Sequence, residues 1–335
     1  MSQIKTVTLS EVAQLAQVST SAVSRTFTPG ASVAPATREK VMQAARKLGY
    51  RPNAIARTLT TKRSRIIGVV VSYLQNQFYP VVIEKLSQAL QRHGYHVLLF
   101  ISDGHETGAD VDDQLMDVMQ YQVDGLVLAS VTLSSALAQG CQAAGVPVVL
   151  FNRVVPLEEV HAVASDNVAG GRMAAQALIE AGCRKIAYIA GLEDASTQIE
   201  REQGLIARLQ EAGLSLFARA SGDYSYQGAC NAARTLFGGK NRPDGVFVAN
   251  DHMALAVMDT LRSELNLRIP EDVAVIGFDN VPQSAWPAYA LTTIEQDATG
   301  MVDATVEVLM KSVNQSDLSV CRIVKPVRLI RRGSI

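Results

Sequence analysis

Four cysteines in 335 residues (Cys141, Cys183, Cys230, Cys321) are too few and too scattered to build a disulfide framework, and no Cys-x-x-Cys pair occurs. They fit small apolar side chains in a reducing compartment. Aromatics make up only 5% of the chain, with a single tryptophan, and charged residues 19%. That balance fits an α/β protein better than an all-β or a disordered one. The opening MSQIKTVTLSEV holds no apolar run that would serve as a signal peptide. No window approaches 18 uncharged apolar residues, so no membrane partner is expected and the expected location is the cytoplasm.

Catalytic vocabulary is missing too. No Gly-x-Gly-x-x-Gly follows a strand, and neither a phosphate-loop motif nor Gly-x-Ser-x-Gly occurs. Gly238-Gly239-Lys240-Asn241 is too short to cradle phosphate and reads as a turn. The five histidines (His93, His96, His105, His161, His252) share no metal-ligand spacing. Neighbouring carboxylates such as Asp112 and Asp113 point apart on a helix. The expectation is therefore no cofactor, no metal and no enzyme.

What is present begins at residues 8–59. Leu9, Val12, Ala13, Leu15 and Ala16 have near-helical spacing. After the turn Gln17-Val18-Ser19, a second segment opens on Ser19, a good N-cap, and would bury Ala22 and Val23. A third helix is predicted from about Pro35 to Leu48, with Val41, Ala44, Ala45 and Leu48 as its apolar stripe and Gly49 as its stop. Three short helices with a tight turn between the first two form a helix-turn-helix.

Charge suggests what this unit is for. Residues 1–65 hold eleven Lys/Arg against two acids, Glu11 and Glu39, a balance of +9. The whole chain has 31 against 32, so residues 66–335 carry −10. A polyanion would be drawn to the front and repelled by the body. In a helix-turn-helix the second helix enters the major groove. Thr20, Ser21 and Arg25 would read base edges there, and Ser19 and Ser24 would meet phosphate. Further on, Pro52 blocks the third helix and Asn53 can cap a short new one through Ala56 and Arg57 to Leu59. Leu59 would either wedge into a minor-groove step or pack on the body from a flexible linker.

From residue 65 the pattern changes. Apolar runs at 66–72, 97–101, 125–129 and 148–151 alternate with helical stretches at 79–93, 112–121 and 135–144. After 162–165 the rhythm restarts, with strands at 186–190, 245–248 and 273–278, helices at 171–181, 199–212, 251–265 and 302–313, a crossover at 291–294 and a final strand at 323–329. Such alternation predicts two doubly wound parallel sheets.

Ligands of open α/β sheets collect beyond the carboxyl ends of strands. Polar or aromatic residues just past the apolar runs are Ser72, Asn76, Phe78, Tyr79, Asp103, Asn152 and Arg153 in the first half. The second half offers Asp166, Arg201, Tyr224, Asn250, Asp251, Asp279 and Gln296. Carboxylates, amides and arginines beside aromatic faces suit a polyhydroxylated ligand. Asp251 could simply cap the helix that follows it.

The run V-x-L-x-x-V-A-x-x-A-x-V-S-x-x-x-V-S-R, then TREKV and LGYRPNAIARTL, resembles the LacI/GalR family of bacterial repressors, and the later FVANDHMAL, VIGFDN and LTTIEQD extend the resemblance through the body. It implies an all-α headpiece (1–52), a hinge helix or linker (53–63) and an effector-binding, dimerising core (64–335) similar to periplasmic sugar-binding proteins. The core would divide into 66–164 plus 294–322 and 165–293 plus 323–335. By this resemblance the headpiece binds a palindromic double-stranded operator as a homodimer, with base-reading positions at Thr20, Ser21 and Arg25 and the inserted leucine at Leu59. Asn250, Asp279, Arg201 and Gln296 would contact the effector, and Tyr224 would stack on it. The effector is expected to be a sugar, sugar acid or sugar phosphate. Rival readings are a solute-binding protein without a DNA role and a sugar-converting enzyme. Two departures stand out: Gln17 where the family usually has Gly, and Ala34 where it often has a Ser cap.

Overall fold

A computed structural model describes residues 7–28, 30–51, 63–72, 74–101, 116–130, 134–155, 159–314 and 319–335. The chain separates into two compact units, Met1–Ser64 and Arg65–Ile335.

The first unit contains helices α1 (Leu9–Ala16), α2 (Thr20–Thr26) and α3 (Pro35–Leu48). Thr8 and Glu11 start α1 with a reciprocal capping box, in which the Glu11 N–H donates to Thr8 Oγ1 and the Thr8 N–H donates to the Glu11 carboxylate. Val12, Ala13, Ala16, Val23, Val41, Ala44 and Ala45 form a small core. Arg38 Nη1 donates to the Thr26 carbonyl at 3.1 Å and ties α3 to α2. Leu15 faces out, and Ala22 is only half-buried, because the helix phase gives the core to their neighbours.

The second unit holds two six-stranded sheets. The first lobe is built on β1 (Ile66–Val71), β2 (His96–Ile101), β3 (Gly125–Ala129), β4 (Val148–Phe151), β5 (His161–Ser165) and β11 (Arg322–Lys325), all parallel, in the order β11-β5-β4-β3-β1-β2. The second is built on β6 (Ile186–Ala190), β7 (Ala218–Ser221), β8 (Gly245–Val248), β9 (Ala274–Asp279), β10 (Thr292–Gln296) and β12 (Val327–Ile330), in the order β12-β10-β9-β8-β6-β7. Only β12 runs antiparallel to its neighbour. Helices cover both faces, so β3, β4, β6, β8 and β9 are buried along their length and read as unbroken apolar runs. In the first lobe α4 (Phe78–Arg92) and α10 (Ala298–Asn314) pack together over one face, and α5 (Ser135–Ala143) lies on the other. In the second, α6 (Asn167–Glu180) and α7 (Ser196–Glu211) form one layer, and α8 (Tyr226–Phe237) and α9 (Asp251–Ser263) the other.

Several expectations need correction. β7 and α8 were not anticipated, and the supposed crossover at 291–294 lies within or just before strand β10. The single final strand is two strands parted at Pro326, which has no N–H to continue a ladder. β11 joins the first sheet and β12 the second. The lobe boundaries therefore fall after Gln296 and between Lys325 and Val327, a few residues later than the sequence suggested. The chain crosses between lobes three times.

Candidate functional site

The exposed face of α2 is one candidate surface. Ser19, Thr20, Ser21, Ser24 and Arg25 are all exposed, while Val23 and Thr26 turn inward. The spacing i, i+1, i+4, i+5 puts Thr20, Ser21, Ser24 and Arg25 on one side of the helix. Arg25 Nη2 donates to Ser21 Oγ at 3.0 Å, which lays the guanidinium along that side. Ser19 caps the helix, its hydroxyl accepting the Ala22 N–H at 3.2 Å. The turn before it is closed by Gln17 in the left-handed region, φ 52° and ψ 47°. The turn geometry that favours glycine is thus retained with a longer side chain. Ala34 starts α3 without a side-chain cap. Asn53, Ala56, Arg57 and Leu59 lie outside the described residues.

The second candidate is the cleft between the lobes, at the carboxyl ends of both sheets. The first lobe contributes Asn76 and Tyr79 at the start of α4, Ser130 after β3, and Asn152 and Arg153 after β4. The second contributes Thr197 and Arg201 from α7, Tyr224 after β7, Asn250 after β8 and Asp279 at the end of β9. Asn76 Nδ2 reaches Asp279 Oδ2 across the lobes at 3.4 Å, and the Val154 N–H donates to Ser196 Oγ at 3.0 Å. The space open to water centres is about 20 Å³, room for about one water, so a sugar ring needs the lobes to part.

Arg201 is 2% exposed and thoroughly engaged. Its Nε donates to Asn167 Oδ1 at 2.9 Å, its Nη1 donates to the Ala249 carbonyl at 2.5 Å, and its Cζ sits 3.6 Å above the Phe278 ring. Asp279 Oδ1 lies 3.9 Å from Arg201 Nη2 and accepts from Gln296 Nε2 at 2.6 Å. Burial nevertheless outweighs these partners and pushes the Asp279 carboxyl up to about 6. The turn that aims it has positive φ at both Asp279 (122°) and Asn280 (55°). Asp251 buckles that turn: it accepts from the Val281 N–H at 2.9 Å and from Thr293 Oγ1 at 2.6 Å. Asp251 is wholly buried, and burial with the nearby Asp279 charge raises its carboxyl well above the usual range. The cap of α9 is not Asp251 but Asn250, whose Oδ1 accepts the Met253 N–H at 2.9 Å.

Tyr224 and Asp223 both have positive φ, 56° and 51°, and the Tyr224 ring lies against Gly191, where a Cβ would come within 2.1 Å. Its hydroxyl pairs with Thr197 Oγ1 at 3.1 Å. The Tyr79 hydroxyl accepts from Ser130 Oγ and, at 3.1 Å, from Asn152 Nδ2. Among the described residues, two buried cleft atoms have no hydrogen-bond partner: Asn152 Oδ1 on the first lobe and Asn250 Nδ2 on the second.

Five described candidates do not line the cleft, Asp251 and four others, and Asp103 lies outside the described residues. Phe78 is core, stacked 6.4 Å from Phe151. Ser72 donates to the Ser130 carbonyl at 3.1 Å. Asp166 caps α6, accepting from the Ala169 N–H at 2.9 Å. Gln296 sits behind Asp279 and also accepts from Ser165 Oγ at 2.7 Å, at the lobe crossing. Ser130 and Thr197 line the cleft but were not anticipated. Ser130 is the first polar residue past an apolar run, the signal that selected Ser72.

Residues 8–53 match the family described as bacterial regulatory proteins, lacI family, and residues 175–335 match the periplasmic binding protein-like domain. The chain is 34% identical over 336 residues to the HTH-type transcriptional regulator CelR of Thermobifida fusca, with 98% of each chain covered. It belongs to the LacI family of bacterial regulatory proteins. As a LacI-family member it is a transcriptional regulator that binds DNA through its helix-turn-helix. Among solved structures, a transcriptional regulator CelR–cellobiose complex is 33% identical with a TM-score of 0.74, covering 98% of this chain and 100% of that one. A lac repressor dimer bound to operator and the anti-inducer ONPF is 27% identical with a TM-score of 0.87, covering 98% and 99%. Among the described residues of this LacI-family chain, no helix is long and apolar enough to cross a membrane.

Proposed function

We propose that this LacI-family regulator is a cytoplasmic repressor and not an enzyme. It acts as a homodimer on a palindromic operator, and a small sugar-like effector held between the lobes sets its DNA affinity. The observation that carries the effector reading is the pair of unpartnered amide atoms, Asn152 Oδ1 and Asn250 Nδ2, on opposite lobes of one cleft. Buried polar atoms are nearly always bonded, so each marks a place for a ligand group. A hydroxyl donates to one and accepts from the other, while Asp279 accepts and Tyr224 offers a flat apolar face. Cellobiose, bound in the related CelR structure, supports the sugar class.

A ligand that satisfies both lobes at once favours one lobe arrangement by its contact energy, and that preference is what reaches the DNA. The route to DNA runs through the segment 53–61. Thermal-shift screening of sugars, sugar acids and sugar phosphates on the full chain identifies the effector class, since a ligand specific for the folded state raises the melting temperature with occupancy. DNA affinity with and without the bound compound then measures coupling. A bound ligand that leaves DNA affinity unchanged refutes effector control, and conversion of that ligand to a product refutes the non-enzyme reading.

A further inference from the structure

Once internal pairings are set aside, the charges lining the cleft do not balance. Among its lining residues the groups charged near neutral pH are Arg153, Arg201 and Asp279. Arg201 and Asp279 lie 3.9 Å apart and compensate each other. Arg201 has little to spare for a ligand. Its Nε and Nη1 are spent on Asn167 and the Ala249 carbonyl, and its flat face is covered by Phe278. Arg153 is different. It is half-buried, it lines the cleft from the opposite lobe, and no ion pair or hydrogen bond joins it to any described residue. The other cleft-lining residues of its lobe, Asn76, Tyr79, Ser130 and Asn152, carry no charge near neutral pH. A guanidinium partly withdrawn from water without an anion is costly, and its planar fork matches a carboxylate or a phosphate bidentately.

We propose that the effector carries one oxyanion, bound by Arg153 on the first lobe, while its hydroxyl-bearing part is held on the second lobe between Tyr224, Asn250 and Asp279. This rests on the sugar-effector reading and narrows it from sugars in general to acidic sugars. The arrangement divides the cleft by chemistry. The Asp279 carboxylate on the second lobe accepts hydroxyls and offers an anion nothing, whereas Arg153 presents a guanidinium with no ion-pair partner among the described residues. A bound acidic sugar therefore has one favoured polarity across the lobes, which a neutral sugar lacks. Carboxylate and phosphate share this recognition, and they differ in charge and reach.

The test uses the full chain and matched triads: D-glucose, D-glucuronate and glucose 6-phosphate; D-ribose, D-ribonate and ribose 5-phosphate; with D-gluconate and inorganic phosphate alongside. Thermal shift ranks them and titration calorimetry gives affinities for wild type and for Arg153→Gln and Arg153→Lys. An acidic member is expected to bind about 10- to 100-fold more tightly than its neutral parent, the range for a charge-assisted hydrogen bond. Arg153→Gln is expected to erase that ratio, and Arg153→Lys to keep part of it. Whether carboxylate or phosphate wins distinguishes the two sources. Melting curves without ligand report the folding of both variants. Binding of a neutral sugar at least as tight as its acidic partners, or acidic binding indifferent to Arg153→Gln, overturns the proposal and leaves the sugar-effector reading standing. No binding by any member overturns both.

Discussion

Substituting Gly171 by alanine should damage the cleft from behind without touching it. Gly171 lies on α6 where the helix meets the α7 backbone. An added Cβ would sit 2.0 Å from the Arg201 carbonyl oxygen and 2.9 Å from the Leu205 nitrogen. Gly204 on α7 answers it, with a Cβ position 2.1 Å from the Val168 carbonyl. Ordinary contact begins near 3.4 Å, so α7 must retreat by about the difference, 1.4 Å. The obstruction is backbone on both sides and cannot be relieved by a rotamer. Overpacking of this kind costs about 3 kcal/mol, the upper end of the usual range. Better helix propensity returns about 1 kcal/mol, for a net loss of about 2 kcal/mol. In a core of this size that lowers the melting temperature by about 4 °C. Because α7 carries Arg201, the same retreat opens its contacts with Ala249 and Phe278, and effector affinity should fall about tenfold or more. Differential scanning calorimetry with and without effector reads both effects. Gly140→Ala on α5 is the control, since nothing lies within 4 Å of its Cβ position. A Gly171→Ala protein melting within about 1 °C of wild type would refute the close-packing argument.

Other consequences can be measured. Arg25→Ala should cost about 1–3 kcal/mol at the operator and relax base preference, and unchanged discrimination between operator and scrambled DNA in a binding titration would remove Arg25 from base reading. Asp279, its carboxyl raised to about 6 by burial, is ionised above that pH and protonated below it. If the carboxylate accepts effector hydroxyls, affinity is full above pH 6 and falls as pH drops through 6; calorimetry from pH 5 to 7.5 should show the decline, and a flat profile would count against Asp279 as the acceptor. The folding term has the opposite sense. The raised pKa favours the folded state fully below the ordinary 3.8, and that contribution is lost as pH rises through about 6. Gln17→Gly should stabilise the headpiece by up to about 1 kcal/mol by relieving a left-handed non-glycine residue, and a lower headpiece melting temperature would show the turn is unstrained.

What could be seen in the sequence was local or periodic. The headpiece helices announce themselves because caps, proline at a first turn and the i, i+3, i+4 stripe act within a few residues. The doubly wound sheets show because strands buried on both faces are apolar throughout. Pairing between distant segments is what sequence conceals. Residues 322–330 look like one run, and only Pro326 hints that they serve two sheets. β7 is missed because Ala218–Ser221 is a short edge strand only partly buried, with too little apolar content to stand out. In the cleft, strand-end polar residues are legible as candidates, but position after a strand does not carry helix phase, and Phe78 faces the core one position before Tyr79 lines the cleft. Asn250 rather than Asp251 caps α9 because the helix starts one residue earlier than an Asp251 cap requires, and the buried Asp251 instead holds the turn after β9.

The three passages of the chain between lobes bear on how the body is made on a ribosome. The first sheet waits for β11, ending at Lys325, and the second for β12, ending at Ile330. Neither lobe can finish before nearly all of the other has been synthesised, whereas residues 7–51 contain all three headpiece helices from the start. The reader of DNA can therefore mature early, and the sensor must close as a pair.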